Sequence, residues 1–266
     1  MPITLSSDGT PIGYESRGTG PAIIFIAGAT QYRLVDQTSG TMADDLADRF
    51  TVIQYDRRGR GESGNASPYT VQREVEDLEA LIEVAGGRAG LFGMSSGALL
   101  ALEAGASLRD KVSAIVLYEP PVDPQQSSEA CWAQCDQMAT LAASGRGEEM
   151  MVNFMSGVGM PAEALAAFRQ SPQWPAYAAV GPTLAHDFRI MAEATDGNRQ
   201  PSRWMDITMP VLVVNGDNSF PFIDAGAAWV AAGLPNASRQ VLSGQDHRFD
   251  PHVLAPILAK FFAQTN

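Results

Sequence analysis

Cysteine, histidine and basic residues are all scarce in this sequence. It contains two cysteines and three histidines among 266 residues. Cys131 and Cys135 are four residues apart in a predicted helix and have no histidine or other cysteine near them, so we expect two buried or half-buried thiols and no metal site. Only 18 residues are basic against 30 acidic ones, which gives a net charge of −12. This excess of negative charge argues against nucleic acid and an anionic membrane as partners.

Long apolar runs are missing as well. No run approaches the roughly 18 apolar residues that a membrane-spanning helix needs. The N-terminal residues do not have the charged-then-apolar form of a signal peptide. We therefore expect a cytoplasmic protein that spans no membrane, either a monomer or a homodimer. Hydrophobic residues make up 45% of the chain, an ordinary share for a globular protein with a sizeable core.

Short apolar runs alternate with helical patterns over most of the chain. After a predicted hairpin over residues 3–17, the predicted strands cover residues 22–26, 51–55, 89–92, 112–118, 211–214 and 238–242. The predicted helices cover residues 33–49, 70–85, the stretch after 95, 223–232 and 251–263. Such an alternation predicts an α/β fold, in which helices flank both faces of a mostly parallel sheet.

The alternation stops between residues 121 and 205. This stretch contains no convincing strand, and its helical patterns cover residues 128–143, 146–156, 161–169 and 183–195. We interpret residues 121–205 as a helical cap inserted between two strands of one sheet. Residues 1–120 and 206–266 would then form the α/β core.

Residues 93–97, Gly-Met-Ser-Ser-Gly, match the pattern Gly-x-Ser-x-Gly. A short apolar run precedes the motif, and an Ala/Leu-rich helical stretch follows it. In this setting the serine lies on a sharp strand-to-helix turn, and the flanking glycines leave room for it. The helix N-terminus behind the serine favours developing negative charge. The sequence therefore predicts Ser95 as a nucleophile.

Further motifs accompany this one. They are Gly28 after a buried strand, Asp-Arg-Arg-Gly-Arg-Gly-Glu-Ser at residues 56–63 and Ser-Gly-Gln-Asp-His at residues 243–247. With these motifs the chain resembles the α/β-hydrolase superfamily over nearly its full length, in particular serine hydrolases with a helical cap such as the zearalenone-hydrolase-like lactonases and esterases. The resemblance implies the α/β-hydrolase fold. It also implies that the arginine-rich loop at residues 56–63 has a structural role and does not bind phosphate.

The resemblance further implies that the catalytic groups follow in the order serine, acid, histidine. His247 comes after the last predicted strand and so matches the base. The acid departs from the commonest pattern, because Ser219 stands where the aspartate usually lies. Glu119, at the end of the strand before the cap, is the preferred acid, and Asp217 is the alternative. In a third interpretation, Glu119 merely caps a loop where the cap begins, and Asp246 or Asp250 positions the histidine.

Acyl transfer also needs hydrogen-bond donors for the oxyanion. We expect these to be the backbone N–H groups of Ser96 and Ala29. The cap is rich in methionine and aromatic residues, some of which should roof an apolar pocket over the nucleophile. The residues predicted to bind substrate are Gly28, Met94, Trp132, Trp174, Tyr177 and His186.

Together these residues predict a serine hydrolase that cleaves an ester or lactone of a hydrophobic small molecule, with no cofactor and no metal. A C–C bond hydrolase, a lyase or a cofactor-free oxygenase on the same scaffold stays open. So does a hydrolase-fold protein that binds a small ligand without turnover. The vacant aspartate position favours this last alternative, whereas the presence of both Ser95 and His247 argues against it.

Overall fold

A computed structural model describes residues 2–195 and 201–265 of the chain. Its strands are β1 (Ile3–Leu5), β2 (Pro11–Arg17), β3 (Ala22–Ile26), β4 (Thr51–Tyr55), β5 (Ala89–Met94), β6 (Val112–Tyr118), β7 (Val211–Gly216) and β8 (Ala237–Leu242). They form one sheet in the order β1-β2-β4-β3-β5-β6-β7-β8. The pairs β1–β2 and β2–β4 are antiparallel, and all pairs from β4 to β8 are parallel.

The described residues also contain ten α-helices. They are α1 (Gln37–Leu46), α2 (Val71–Val84), α3 (Ser96–Leu108), α4 (Ser128–Ala143), α5 (Gly147–Gly157), α6 (Ala162–Arg169), α7 (Trp174–Ala179), α8 (Leu184–Ala194), α9 (Ile223–Ala232) and α10 (Pro251–Ala263). No helix in the described part of the chain combines the length and the apolar character that a bilayer-spanning segment requires.

Helices cover the sheet on both faces. On one face, α2, α3 and α9 pack against the strands through side chains such as Leu78, Leu99 and Val230. On the other face, α1 and α10 do the same through Met42 and Leu258. Strands β3, β5 and β6 are buried along their whole length, as expected for the centre of a parallel sheet with two covered faces. The predicted fold class is confirmed.

The first helix is shorter than the sequence pattern predicts. The pattern covers residues 33–49, but α1 begins at Gln37 because the Asp36 carboxylate accepts a hydrogen bond from the N–H of Ser39 at 3.0 Å and caps the helix there. Just upstream, the N–H of Arg33 donates to the Asp56 carboxylate at 3.0 Å. That loop contact keeps the residues just before the helix N-cap, Asp36, in a non-helical conformation.

Helices α4 to α8 lie between β6 and β7 in the chain, in the stretch interpreted as a cap. They share an apolar cluster that includes Met150, Met155 and Leu184, and Tyr32 from the loop after β3 belongs to the same cluster. Beyond α8, residues 201–205 lead into the core, where Trp204 is fully buried. The division of the chain into core and cap at residues 120 and 205 stays a prediction.

Candidate active site

The predicted nucleophile lies on the turn between β5 and α3. Ser95 has φ +54°, a conformation that a non-glycine residue adopts only where the surroundings enforce it. Its N–H donates to the carbonyl of Tyr118 at 2.9 Å, and its own carbonyl accepts from the N–H of Ala98 at 2.8 Å. These bonds pin the serine between the neighbouring strand and the first turn of the helix, at the carboxyl edge of the sheet.

Three glycines make this turn possible. A Cβ atom on Gly93 would lie 2.3 Å from the carbonyl oxygen of Gly97, and one on Gly97 would lie 2.3 Å from the carbonyl oxygen of Ile26. A Cβ on Gly28 would lie 2.9 Å from the Cβ of Ser95. The loop after β3 therefore runs directly beside the serine, and no side chain fits between them.

Glu119 follows β6 as Ser95 follows β5. Met94 and Tyr118 are opposite each other in the β5–β6 pair, so the next residues, Ser95 and Glu119, emerge side by side at the sheet edge. Glu119 is fully buried and also has a positive φ, +48°. The hydrogen bond from its N–H to the Val214 carbonyl, at 2.9 Å, holds the backbone in this conformation.

The Glu119 carboxylate has three hydrogen-bond partners. One oxygen accepts from the N–H of Gly216 at 2.9 Å, and the other accepts from the Ser219 hydroxyl at 2.7 Å and contacts His247 Nδ1 at 2.6 Å. A carboxylate on Nδ1 keeps the proton there and leaves Nε2 as the acceptor. Ser219, which stands where the aspartate usually lies, thus completes the set of donors to the Glu119 carboxylate. The sequence motif did not predict this role.

His247 lies on the loop between β8 and α10. Its side chain is 29% exposed, so one edge of the ring is accessible while Nδ1 points inward. The ring of Phe220 lies 5.4 Å away in a tilted arrangement. Sequence reasoning missed Phe220, which restricts the histidine ring from the β7–α9 loop. Its only signal was its position next to Ser219.

The other candidate acids are used elsewhere. Asp217 accepts a hydrogen bond from the N–H of Gly244 at 2.6 Å and ties the loops after β7 and β8 together. Asp246 accepts from the N–H of Arg248 at 2.7 Å. Asp250 caps α10 through its bond to the N–H of His252 at 2.9 Å. Of these acids and Glu119, the geometry pairs Glu119 with His247.

The loop that carries the predicted oxyanion donor Ala29 is tightly held. The N–H of Gly28 donates to the Gln31 side chain at 2.8 Å, and that side chain in turn reaches Met94 Sδ at 3.4 Å. Arg60 donates to the carbonyls of Gly28 and Gln31 at 2.6 and 3.0 Å. Ala29 is therefore fixed between two anchored carbonyls. The other predicted donor is the N–H of Ser96, the first residue of α3. The first N–H groups of a helix have no partner within the helix.

A buried network of charged residues lies behind the turn that carries Ser95. Arg57 binds Glu74 through two bonds of 2.7 and 2.8 Å, and both Arg57 and Arg60 contact Asp187 at 2.6 Å. Burial opposes ionisation of Asp187, but the nearby Arg60 and Arg57 charges outweigh it and lower its pKa to about 2. The sequence indicated a structural role for the arginine-rich loop. It did not indicate that Asp187 takes part in the same network.

His186, predicted to bind substrate, belongs to the surroundings of this network. Its ring stacks on Tyr69 with the centroids 3.8 Å apart. Burial lowers the pKa of His186 to about 4, although the Glu74 and Asp187 carboxylates act in the opposite direction. This is the environment of a packed, neutral side chain, and a role of His186 in substrate binding stays a prediction.

The depressed pKa of His186 makes a prediction about stability. Because the unfolded chain takes up this proton near pH 6.5 and the folded chain only near pH 4, stability is lost as the pH falls through this window. The loss amounts to about 2 kcal/mol between pH 7 and pH 5. Urea unfolding should show that His186→Phe, which keeps a ring against Tyr69, removes this part of the pH dependence. An unchanged slope in His186→Phe contradicts the assignment.

The two tryptophans and the tyrosine predicted to bind substrate divide into two groups. Trp174 and Tyr177 both pack against Phe168, with ring centroids 5.6 and 5.1 Å apart, in the cluster that also includes Ala29. Trp132 instead packs beneath the Arg189 guanidinium at 4.8 Å, and its role in substrate binding stays a prediction. Helix α7, which contains Trp174 and Tyr177, therefore packs in the same cluster as the loop beside Ser95.

Metal ligands are not grouped in the described part of the chain. Within residues 2–195 and 201–265, no cluster of three or more histidine, cysteine, aspartate or glutamate side chains could hold a metal ion. The chemistry that these residues offer is that of a hydroxyl, an imidazole and a buried carboxylate at one edge of a sheet.

Comparison with known proteins agrees with this architecture. A model described as the alpha/beta hydrolase family matches residues 23–257. A solved alpha/beta hydrolase from Sphaerobacter thermophilus is 40% identical to this chain and has a TM-score of 0.82, with 98% of this chain and 100% of that chain covered.

Two further relatives carry more specific names. A 2-(acetamidomethylene)succinate hydrolase from Mesorhizobium japonicum is 27% identical over 243 residues, which cover 89% of this chain and 84% of the relative. The enol-lactonase from Burkholderia xenovorans is 19% identical, with a TM-score of 0.72 over 98% of this chain and 100% of that chain. The second likeness is one of fold alone.

Proposed function

The chain belongs to the alpha/beta hydrolase family, and from this premise we propose that it is a serine hydrolase that cleaves an ester or lactone of a hydrophobic small molecule. One observation carries the proposal. The buried Glu119 carboxylate holds His247 Nδ1 at 2.6 Å, and the same sheet edge presents Ser95 on a strained turn. A serine hydroxyl needs an oriented base of this kind to act as a nucleophile.

We propose the following roles for these groups in catalysis. Ser95 Oγ attacks the substrate carbonyl while His247 Nε2 takes its proton, and Glu119 stabilises the resulting imidazolium. The N–H groups of Ser96 and Ala29 bind the oxyanion. When the intermediate collapses, His247 gives the proton to the leaving alkoxide and an acyl-enzyme forms on Ser95. A water molecule that His247 deprotonates then attacks the acyl carbon, releases the acid and restores the serine.

The substrate class rests on the surroundings of the loop after β3. Ala29 packs in a cluster that methionine, leucine and aromatic side chains of the helical segment dominate. Flexible methionine side chains adapt to varied apolar shapes. The relative named as a hydrolase of a succinate derivative supports a small carbonyl compound as the substrate.

Rival activities differ in what they predict for the same residues. A ligand-binding protein without turnover needs no oriented base, so the Glu119–His247 contact favours an enzyme. C–C bond hydrolysis, a lyase reaction and cofactor-free oxygenation could use the same scaffold. Turnover of simple aryl esters supports the ester or lactone proposal over these alternatives.

The first test is covalent labelling of the nucleophile. Brief treatment with a fluorophosphonate should add one label to the wild-type protein, and peptide mapping should locate it on Ser95, because the reagent reports serines activated by an adjacent base. Intact mass spectrometry measures the adduct. Absence of the label on folded wild-type protein would count against the hydrolase proposal and favour ligand binding.

A further inference from the structure

Asp187 connects the helical segment to the sheet edge. It lies near the start of α8, yet its carboxylate is buried among groups from the core. One oxygen accepts from Arg57 at 2.6 Å and from the Ser96 hydroxyl at 2.7 Å, and the other accepts from Arg60 at 2.6 Å. The mechanism proposed above makes no use of this carboxylate.

The two arginines extend the contact to the loop beside Ser95. Arg60 donates from Nη1 to the carbonyls of Gly28 and Gln31 at 2.6 and 3.0 Å. Arg57 donates from Nη1 to the carbonyl of Ala27 at 3.2 Å. Three carbonyls around Ala29 are thus held by guanidinium groups that Asp187 orients.

The second predicted oxyanion donor, the N–H of Ser96, is linked to the Asp187 carboxylate through the Ser96 side chain. The hydroxyl of Ser96 bonds to Asp187 while its backbone N–H opens α3 next to Ser95. The segments after two different strands, β3 and β5, are therefore both linked to one side chain of α8, Asp187. Small displacements of such donors weaken the stabilisation of a transition-state oxyanion.

We propose that Asp187 is a positioning residue that sets the two halves of the oxyanion hole relative to each other, through Ser96 on one side and through Arg57 and Arg60 on the other. This inference rests on the proposed serine hydrolase function. It also makes correct geometry of the site depend on the seating of α8 against the core.

The charge balance explains how such a cluster can stay buried. Two guanidinium groups, Arg57 and Arg60, are matched by two carboxylates, Glu74 and Asp187, and each of the four side chains is about 1% exposed. A buried ion pair is weak evidence for stability, since desolvation offsets most of its attraction, but loss of one partner is strongly destabilising. A mild variant is therefore needed to separate positioning from folding.

The kinetic test uses Ser96→Ala, which removes one hydroxyl from Asp187 and leaves the ion pairs in place. With an aryl ester, we expect kcat to fall roughly 10- to 100-fold and KM to change less than about twofold. Tyr69→Phe is the matched control, because it removes a hydroxyl that donates to Glu74 in the same network at 2.9 Å. That variant should keep the wild-type kcat, and equal kcat values in Ser96→Ala and Tyr69→Phe overturn the proposal.

Hydrogen exchange tests the loop without using activity. In Asp187→Asn, peptides that cover residues 27–34 should exchange faster than in the wild type, while peptides from α10 should be unchanged. Unchanged exchange in the loop overturns the proposal. If the wild type hydrolyses no ester, the proposed function has failed, and the exchange result decides alone whether Asp187 holds the loop. If the wild type is active and loses its activity in Ser95→Ala, the function stands and the Ser96→Ala result tests the positioning role by itself.

Discussion

Replacement of Ser95 by alanine should abolish ester hydrolysis, with kcat lowered by roughly 10⁴- to 10⁶-fold. The change removes the only atom of this residue that can form the acyl-enzyme, and it leaves the base and the oxyanion donors in place. Residual turnover should come from those groups acting on water. Initial rates with an aryl ester, measured with enough enzyme to detect the residual rate, give the ratio.

The control for this variant is a serine outside the site. Ser156, exposed on α5, can be changed to alanine with wild-type turnover expected. The fluorophosphonate label should be lost in Ser95→Ala and retained in Ser156→Ala. A Ser95→Ala protein that keeps both its label and its rate would show that the nucleophile is another residue.

Replacement of Glu119 by glutamine should lower kcat by roughly 10³- to 10⁴-fold. Glutamine keeps the volume and can still accept from the Gly216 N–H, but its amide replaces a charged oxygen that contacts both Ser219 and His247. Without the carboxylate, the histidine loses the partner that selects its tautomer and stabilises the imidazolium. Labelling by the fluorophosphonate should slow in parallel with kcat.

The alternative acid provides the matched control. Asp217→Asn changes a carboxylate that bonds to the Gly244 N–H, and it should leave kcat within about threefold of the wild type because it affects only this contact between the loops after β7 and β8. Thermal unfolding followed by circular dichroism checks that both variants are folded. The assignment of Glu119 is wrong if Asp217→Asn loses activity and Glu119→Gln does not.

The turn that carries Ser95 shows how much of the structure can be predicted from local sequence pattern. The motif around Ser95, the apolar run before it and the helical stretch after it are all contiguous, so strand and helix periodicity was enough to predict the turn. The structure adds the strain, φ +54°, and the close approach of Gly28. Local pattern could not reveal the neighbours of His186 and Trp132, because Tyr69 and Arg189 are brought to them by how the helices pack.

By itself the sequence determined the alternating strands and helices and the position of Ser95 at a strand end. These features depend on residues close together in the chain. Only the tertiary structure decided that Glu119, 128 positions before His247, is the carboxylate that touches it. It also decided that Asp187 reaches Ser96 across 91 positions. Such contacts arise from strand order and helix docking, in which many apolar side chains act together, and no local spacing records them.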